Sequence, residues 1–154
     1  MNDSKKIADC VNDLVQINHD RTAGYNKAAE ETEDSELKML FHRNSSQSEQ
    51  FASELASVVS TLGEKPVEGT RTDGKLYRAW MDVKTALSGK SRKAVLNACE
   101  YGEDVAKKSY EDALKDDGEL PANIRELINR HFNDILKAHD EIKSMRDAEE
   151  TVKS

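Results

Sequence analysis

The sequence predicts an all-α fold, a bundle of four long helices with a short fifth helix in the long central connection. Apolar residues recur at the 3.6-residue period of a helix along four long segments. Charged residues make up 34% of the chain and there are only two prolines, which suits long helices with solvated outer faces. A chain of 154 residues is also long enough to form one domain with a sizeable core.

We therefore predict a single domain over residues 1–154. The predicted helices cover residues 4–32, 35–62, 74–88, 91–116 and 121–150. Ser4 is the expected N-cap of the first helix, and Ser35 opens the second with an incomplete capping box. Gly63 and Pro66 form the expected stop after the second helix.

The remaining connections set the predicted topology. Asp73 is expected to cap the short helix and Gly89 to end it, while residues 116–119 form a turn before Pro121 opens the last helix. Short links join the first helix to the second and the third long helix to the fourth, so each pair forms an antiparallel hairpin. The central connection is long enough to return along the bundle, which lets the second and third long helices run parallel.

The apolar face of each long helix is interrupted by polar residues near its middle. The predicted polar core residues are Asn18, Arg21, Asn44, Ser48, Glu103 and His131. Buried polar groups are costly unless they are paired, so the middle of the bundle either holds a site or descends from one.

A faint internal repeat supports the two hairpins. Asn18 precedes Tyr25 by seven residues, and Glu103 precedes Tyr110 by seven residues. The helix that follows carries a similar pattern in each half, at residues 51–55 and 138–142. Two hairpins related in this way are expected to pack as a pseudo-twofold pair.

Several short segments carry a resemblance to a known family, at residues 11–18, 24–25, 28–30, 36–37, 50–55, 63–66, 78–82 and 102–104. Together they resemble an uncharacterised bacterial family of ferritin-like four-helix bundles. The family is distantly similar to rubrerythrin and bacterioferritin. The resemblance implies a ferritin-like fold and a bacterial cytoplasmic protein with a loose link to stress, but it implies no defined activity.

Metal-binding ferritin-like proteins carry one Glu on each of two core helices and a Glu-x-x-His pair on each of the other two. Carried over by resemblance, these positions are Asn18, Ser48 with Phe51, Glu103, and Ile135 with Ala138 or, one residue later, Leu136 with His139. The chain contains no Glu-x-x-His. We therefore expect no metal and no other cofactor. The alternative is iron or another divalent metal at an atypical site formed by Glu103 with His131 or His139.

The choice between a metal-free core and an atypical metal site depends mainly on Glu103. It is expected to pair with Arg21, or to bond Asn18 and Tyr25 across the core, because an unpaired buried carboxylate is expensive. The remnant of a metal ligand or an acid–base group is the other interpretation. His131 is expected to be a satisfied interior histidine, with His19 and His42 at the margin of the apolar face.

Two further sets of residues have a structural and a functional interpretation. Cys10 and Cys99 are expected to be small buried hydrophobic residues without a disulfide bond. The short helix carries bulky residues that either cap the bundle or form a homodimer interface: Tyr77, Trp80, Met81 and Leu87.

Charge and composition exclude other classes. A net charge of −7 without clustered basic residues argues against nucleic acid, and no apolar run approaches the length of a membrane span. The N-terminal segment lacks the apolar stretch of a secretion signal, so a cytoplasmic location is expected. We predict a non-enzymatic helical bundle with a structural or protein-interaction role and a metal-free polar core, and the resemblance adds a loose link to stress. The alternative is a metal-binding or oxidoreductase-like protein. A homodimer or other homo-oligomer is expected, and the sequence names no other protein partner.

Overall fold

The structure, a computed structural model, describes residues 2–89, 91–115 and 120–153. Within these ranges it contains five α-helices and no strand, so the predicted all-α class is confirmed. The helices are α1 (Asn2–Glu31), α2 (Ser35–Thr61), α3 (Gly74–Gly89), α4 (Arg92–Leu114) and α5 (Ala122–Lys153). None of the described helices is both long enough and apolar enough to cross a membrane. The predicted turn at 116–119, with the predicted helix end at 116, lies outside the described residues.

The starts of the first two helices differ from the prediction. α1 begins at Asn2, so Ser4 lies inside the helix and is not its N-cap. The N-cap of α2 is Asp34, one residue before the predicted Ser35, because the Asp34 carboxylate accepts a hydrogen bond from the backbone N–H of Leu37 (3.0 Å). A carboxylate at this position also interacts favourably with the positive end of the helix dipole.

Other helix ends follow the expected chemistry. Gly63 comes just after α2 with a φ of +82°, a left-handed conformation that glycine adopts without strain. Ser91 caps α4, since its hydroxyl accepts a bond from the backbone N–H of Ala94 (3.2 Å). Pro121 immediately precedes α5, whose first residue is Ala122. The sequence therefore encodes most of its own helix boundaries.

Contacts across the core fix the helix directions. Residues 32–34 are the only link between α1 and α2, so these two helices form an antiparallel hairpin. Asn18 contacts Tyr110, and Arg21, further along α1, contacts Glu103, which comes earlier in α4. α1 and α4 are therefore antiparallel, and it follows that α2 and α4 run parallel. The connection that contains α3 returns along the molecule and packs against α1 and α4.

The apolar core consists of two clusters. The first includes Val11, Leu14, Leu55, Ala106, Ile124 and Ile128. The second includes Ala28, Phe41, Val83, Leu96 and Ile142. On α1, α2 and α4, polar residues fall between the members of the two clusters. The interruption seen in the sequence thus becomes a polar layer across the middle of the core.

Candidate functional site

The six predicted polar core residues all lie in the interior, and none exposes more than 2% of its surface. We call them the polar layer: Asn18, Arg21, Asn44, Ser48, Glu103 and His131. Hydrogen bonds place five of the six residues in two separate groups, and Asn44 belongs to neither group. One is built around an ion pair and the other around a histidine.

The first group, the charged cluster, consists of Arg21, Glu103, Tyr25, Ser48 and Gln47. Arg21 donates from Nε to Glu103 Oε2 (2.8 Å) and from Nη2 to Glu103 Oε1 (2.6 Å). Its Nη1 donates to the Ser48 hydroxyl (2.7 Å) and to the Gln47 side-chain oxygen (2.9 Å). The Tyr25 hydroxyl donates to Glu103 Oε1 (2.7 Å). This two-pronged geometry is the strongest form of Arg–carboxylate pairing.

Electrostatics keep the Arg21 guanidinium charged and the Tyr25 phenol protonated. Burial alone would lower the pKa of Arg21, but the adjacent carboxylate outweighs this and raises it, so the guanidinium remains charged. Burial, reinforced by Glu103, raises the pKa of Tyr25 well above its ordinary value. The same two causes raise the pKa of the buried Cys99 thiol, which is therefore kept as the unreactive thiol.

The second group, the His131 chain, runs from Asn18 through Tyr110 and His131 to Glu54. Asn18 donates from Nδ2 to the Leu14 carbonyl and to the Tyr110 hydroxyl, both at 2.9 Å. Tyr110 lies 3.2 Å from His131 Nδ1, and His131 Nε2 lies 2.7 Å from Glu54 Oε1. Since the phenol already accepts from Asn18, it donates to Nδ1, and the imidazole donates from Nε2 to Glu54.

This chain favours a neutral imidazole. Burial lowers the pKa of His131, and the hydrogen bond to Glu54 opposes that effect only in part. Burial also raises the pKa of Tyr110, so the phenol stays protonated and able to donate. The His131 ring is stacked on Phe51, with ring centroids 3.8 Å apart. The side chain of Glu54 is 33% exposed, so the chain begins in the core and ends at the surface.

Each of the two groups pairs a tyrosine from one half of the sequence repeat with a polar residue from the other half. Asn18 bonds the tyrosine of the second hairpin, Tyr110, while Glu103 bonds the tyrosine of the first hairpin, Tyr25. Each repeat thus supplies a polar group and a phenol, and each phenol pairs with the polar group of the other repeat. The polar layer is consequently a pair of links between the two hairpins.

Two buried amide atoms of the polar layer have no hydrogen-bond partner among the described residues. They are Asn18 Oδ1 and Asn44 Nδ2. Each such atom carries a desolvation cost, so the layer is not fully satisfied by its own side chains.

The candidate metal ligands are not brought together. Glu103 is engaged by Arg21, and His131 by Tyr110 and Glu54. His139 lies on α5 with its Nε2 2.8 Å from Asp104 Oδ1, on the side facing α4. Across the described ranges, no group of three or more His, Cys, Asp or Glu side chains is placed to hold a metal ion. The remaining histidines lie elsewhere, with His19 half-buried beside the Val67 carbonyl (3.1 Å) and His42 exposed.

The short helix packs on the charged cluster. The Trp80 ring makes an edge contact with Tyr25 at a centroid distance of 4.6 Å. Gly24 allows this approach, because a Cβ there would stand 2.2 Å from the Trp80 ring. Trp80 and Leu87 pack on the second apolar cluster, Tyr77 is half-buried and Met81 is 38% exposed. Trp80 and Leu87 thus contact the rest of the chain as the capping interpretation of α3 expects, and the homodimer interpretation stays a prediction.

Some site residues were absent from the sequence prediction. Glu54 and Gln47 are partners of buried groups, yet neither lies on the apolar face of α2, so periodicity gave no signal for them. The sequence signal that could have identified Glu54 is its place directly before the core residue Leu55. No disulfide joins Cys10, which is partly exposed, to the buried Cys99.

A protein family described as "Domain of unknown function (DUF2383)" matches residues 6–116, more than two thirds of the chain. The matched part contains α2, α3, α4 and nearly all of α1, and with them the charged cluster. No curated protein matches the chain. The family match thus covers the first hairpin, the crossover and half of the second hairpin.

Proposed function

The chain belongs to the family of the domain of unknown function DUF2383, and we propose that it is a non-enzymatic, ferritin-like four-helix bundle with a structural or protein-interaction role. In this proposal the polar layer joins the two helical hairpins, and the Arg21 guanidinium supplies the positive charge that a metal supplies in ferritin-like proteins that bind iron. The parallel arrangement of α2 and α4, with a crossover between them, supports the ferritin-like assignment.

One observation carries the proposal: both oxygens of Glu103 accept hydrogen bonds from Arg21 inside the core. A carboxylate in this state cannot bind a cation unless the guanidinium moves away. Moving it would leave a buried charge without a partner, which costs several kcal/mol. In this proposal the ion pair therefore keeps Glu103, at the position of a metal ligand, from binding a metal.

The other positions that the ferritin-like resemblance assigns to metal ligands also fail to fit a di-iron centre. Asn18 donates to Tyr110, Ser48 accepts from Arg21, and Phe51 stacks on His131. Ile135 and Ala138 are buried and apolar. Two irons need several carboxylates and imidazoles to balance their charge, and this layer offers one carboxylate already neutralised by arginine.

The resemblance extends the proposal to the setting of the protein. We place it in the bacterial cytoplasm, with a loose association with stress and a homodimeric or other homo-oligomeric state. Light scattering on the purified protein and on Trp80→Ala measures the state directly. A smaller assembly in the variant would assign the interface to α3, whereas an unchanged mass with lower stability would assign Trp80 to the bundle itself.

Metal analysis of untagged protein tests the main proposal. The protein is purified from cells grown with added iron, manganese and zinc, and its metal content is compared with that of Glu103→Ala and of the surface variant Glu141→Ala. We expect no stoichiometric metal in any of the three. One metal per chain, lost in Glu103→Ala and kept in Glu141→Ala, would overturn the proposal and favour a metal-binding or oxidoreductase-like protein that uses Glu103 with His131 or His139.

A further inference from the structure

Residues 65–72, which we call the strap, connect α2 to α3 without forming a helix or a strand. Across the described part of the chain, no hydrogen bond joins a backbone group of the strap to another backbone group. Pro66 and Val67 are partly buried, and the other six residues of the strap are exposed. The strap therefore depends on contacts outside itself to keep its position.

These contacts come from side chains of α1. Asn12 binds the strap at two points, because its Nδ2 donates to the Lys65 carbonyl (3.0 Å) and its Oδ1 accepts from the Val67 backbone N–H (3.0 Å). His19 donates from Nε2 to the Val67 carbonyl (3.1 Å). Side chains of a helix thus satisfy backbone groups that have no partner in secondary structure.

Two further bonds extend the contact toward α3. Gln16 donates from Nε2 to the Gly69 carbonyl (3.1 Å), and Asp20 accepts through Oδ1 from the Arg71 backbone N–H (2.8 Å). The bound backbone groups belong to alternate residues of the strap, at positions 65, 67, 69 and 71. We call the side chains that bind them the α1 anchors: Asn12, Gln16, His19 and Asp20. Their spacing of three or four residues puts them on one face of the helix.

The strap contributes little to the apolar core. Val67 packs against the first apolar cluster as a partly buried member, and the buried residues of both clusters lie outside the strap. Loss of the strap contacts would therefore leave the buried core in place. A segment with few buried apolar contacts and with solvent-exposed backbone hydrogen bonds opens at a lower free energy than the core does.

A glycine stands on each side of the strap. Gly63 (φ +82°) and Gly74 (φ +90°) both have the left-handed conformation that favours glycine. A Cβ on Gly63 would meet no atom within 4 Å, so the backbone conformation and not a lack of space explains the glycine there. Hinges consist of a few such positions that absorb changes in φ and ψ.

One of the α1 anchors is held at a cost. Asp20 is 8% exposed, and burial raises the pKa of its carboxyl group against the bond from the Arg71 N–H and the charges of Arg71 and His19. Desolvation of this carboxylate therefore offsets part of what its bond contributes. The closed strap is held by a few hydrogen bonds of small net contribution and not by extensive burial.

We propose that the strap opens and closes as one unit, with Gly63 and Gly74 as its hinges, while the helical bundle stays folded. In the closed state it covers the α1 anchors, and in the open state it exposes them to solvent and to other molecules. The anchors bind alternate residues of one short segment, so the release of one of them weakens the hold of the others. The strap is thus a removable cover on one face of α1.

Amide hydrogen exchange of the full-length protein, measured by NMR at several low urea concentrations, tests this proposal. The Val67 and Arg71 amides are the probes, since both donate to α1 anchors. We expect both to be protected to a similar degree and to exchange with little dependence on urea, because local opening exposes little surface. The amides of Leu96 and Ala106 in the core should exchange more slowly and with a steep dependence on urea.

Two variants separate one cooperative unit from independent contacts. Gln16→Ala removes the bond to Gly69 and leaves the Asn12–Val67 bond intact, yet it should speed the exchange of the Val67 amide about fivefold. Asn12→Ala should speed the exchange of the Arg71 amide by at least the same factor, although Asn12 does not bind Arg71. Alanine is the better helix former in both cases, so a weakened α1 would not explain faster exchange.

Glu30→Ala, an exposed change near the other end of α1, is the control and should alter neither probe. Several results would overturn the proposal. The probes could lack protection, or could show the urea dependence of the core amides, which would mean that the strap opens only when the bundle unfolds. A response confined to the amide beside the altered anchor, or an equal response to Glu30→Ala, would exclude a single unit.

Discussion

The charged cluster and the His131 chain each link the two hairpins through matching positions of the sequence repeat, but they neutralise their polar groups differently. In the cluster, the carboxylate of Glu103 is balanced by the full charge of Arg21. In the chain, the equivalent position is Asn18, and every interior member is neutral. The buried charge of Glu103 in the second repeat is balanced from the first repeat, by Arg21. The second repeat has the apolar Ala106 at the position that matches Arg21, so no arginine faces the neutral Asn18.

The two groups also differ in their access to water. The side chains of Arg21 and Glu103 are each 1% exposed, and Trp80 covers the neighbouring Tyr25. The chain instead ends at Glu54, which is one-third exposed. A sealed ion pair should affect stability strongly and with little dependence on mild pH change. A chain that reaches solvent through a titratable histidine should affect it less, and with a marked pH dependence.

The largest effect is expected from Glu103→Ala. It leaves the Arg21 guanidinium buried without a counter-charge, and breaking a buried pair in this way costs about 3–5 kcal/mol. Urea unfolding followed by circular dichroism measures the free energy of unfolding. The exposed pair Arg43–Glu141 is the control, since its truncation should cost well under 1 kcal/mol.

A triple variant determines whether that cost comes from charge or from packing. Arg21→Met, Glu103→Leu and Tyr25→Phe together remove the ion pair and the phenol that donates to it, and they leave Ser48 and Gln47 without the hydrogen bonds that Arg21 donates. Apolar replacement of a buried pair is often close to neutral, so the triple variant should unfold at a higher urea concentration than Glu103→Ala. If the triple variant is as unstable as the single one, the cluster matters for its shape and not for its charge balance.

The next largest effect is expected at the contact between Trp80 and Tyr25 of the charged cluster. In Gly24→Ala the new methyl group would overlap the rigid Trp80 ring, and overpacking of this kind costs about 1–3 kcal/mol. Gly102→Ala in α4 is the matched control, because its Cβ would meet Ala79 and Leu76 at 3.6 and 3.7 Å, an ordinary contact distance. That variant should gain up to about 1 kcal/mol from helix propensity. Thermal unfolding of both variants would show opposite changes, and a loss in both would refute the steric account.

The third effect is the pH dependence of the His131 chain. Burial lowers the pKa of His131 below its ordinary value of 6.5, so between the folded pKa and 6.5 the unfolded chain binds more protons. The contribution of His131 to stability is therefore complete above pH 6.5 and is lost as the pH falls below it, with a slope of at most about 1.4 kcal/mol per pH unit. Urea unfolding from pH 7.5 to 5 measures it. The difference between the protein and His131→Gln should change with pH, and a constant difference would contradict the prediction.

The sequence predicted much of this polar layer because it interrupts a regular apolar period. Asn18, Arg21, Glu103 and His131 could be identified as interior positions from the 3.6-residue repeat alone. Their partners could not all be found in that way. Glu54 lies beside the apolar face of α2, and its bond to His131 spans 77 residues of sequence, a distance that periodicity does not cover.

The helix ends mark a second limit. Serine is a favoured N-cap residue, so the sequence suggests Ser35, but the preceding Asp34 offers a charged acceptor and takes the position.

The smallest effect compares two glutamates that the sequence repeat places at matching positions, Glu54 and Glu141. Glu54 accepts from the buried His131 at 2.7 Å, whereas Glu141 accepts from the exposed Arg43. Glu54→Ala leaves the imidazole N–H without its acceptor and should cost about 1 kcal/mol. Glu141→Ala should cost about 0.5 kcal/mol or less, since Arg43 and Glu141 are both already solvated. Urea unfolding at neutral pH resolves this difference. Equal costs would mean that Glu54 is no more than a surface charge, and that the His131 chain ends inside the protein at the imidazole.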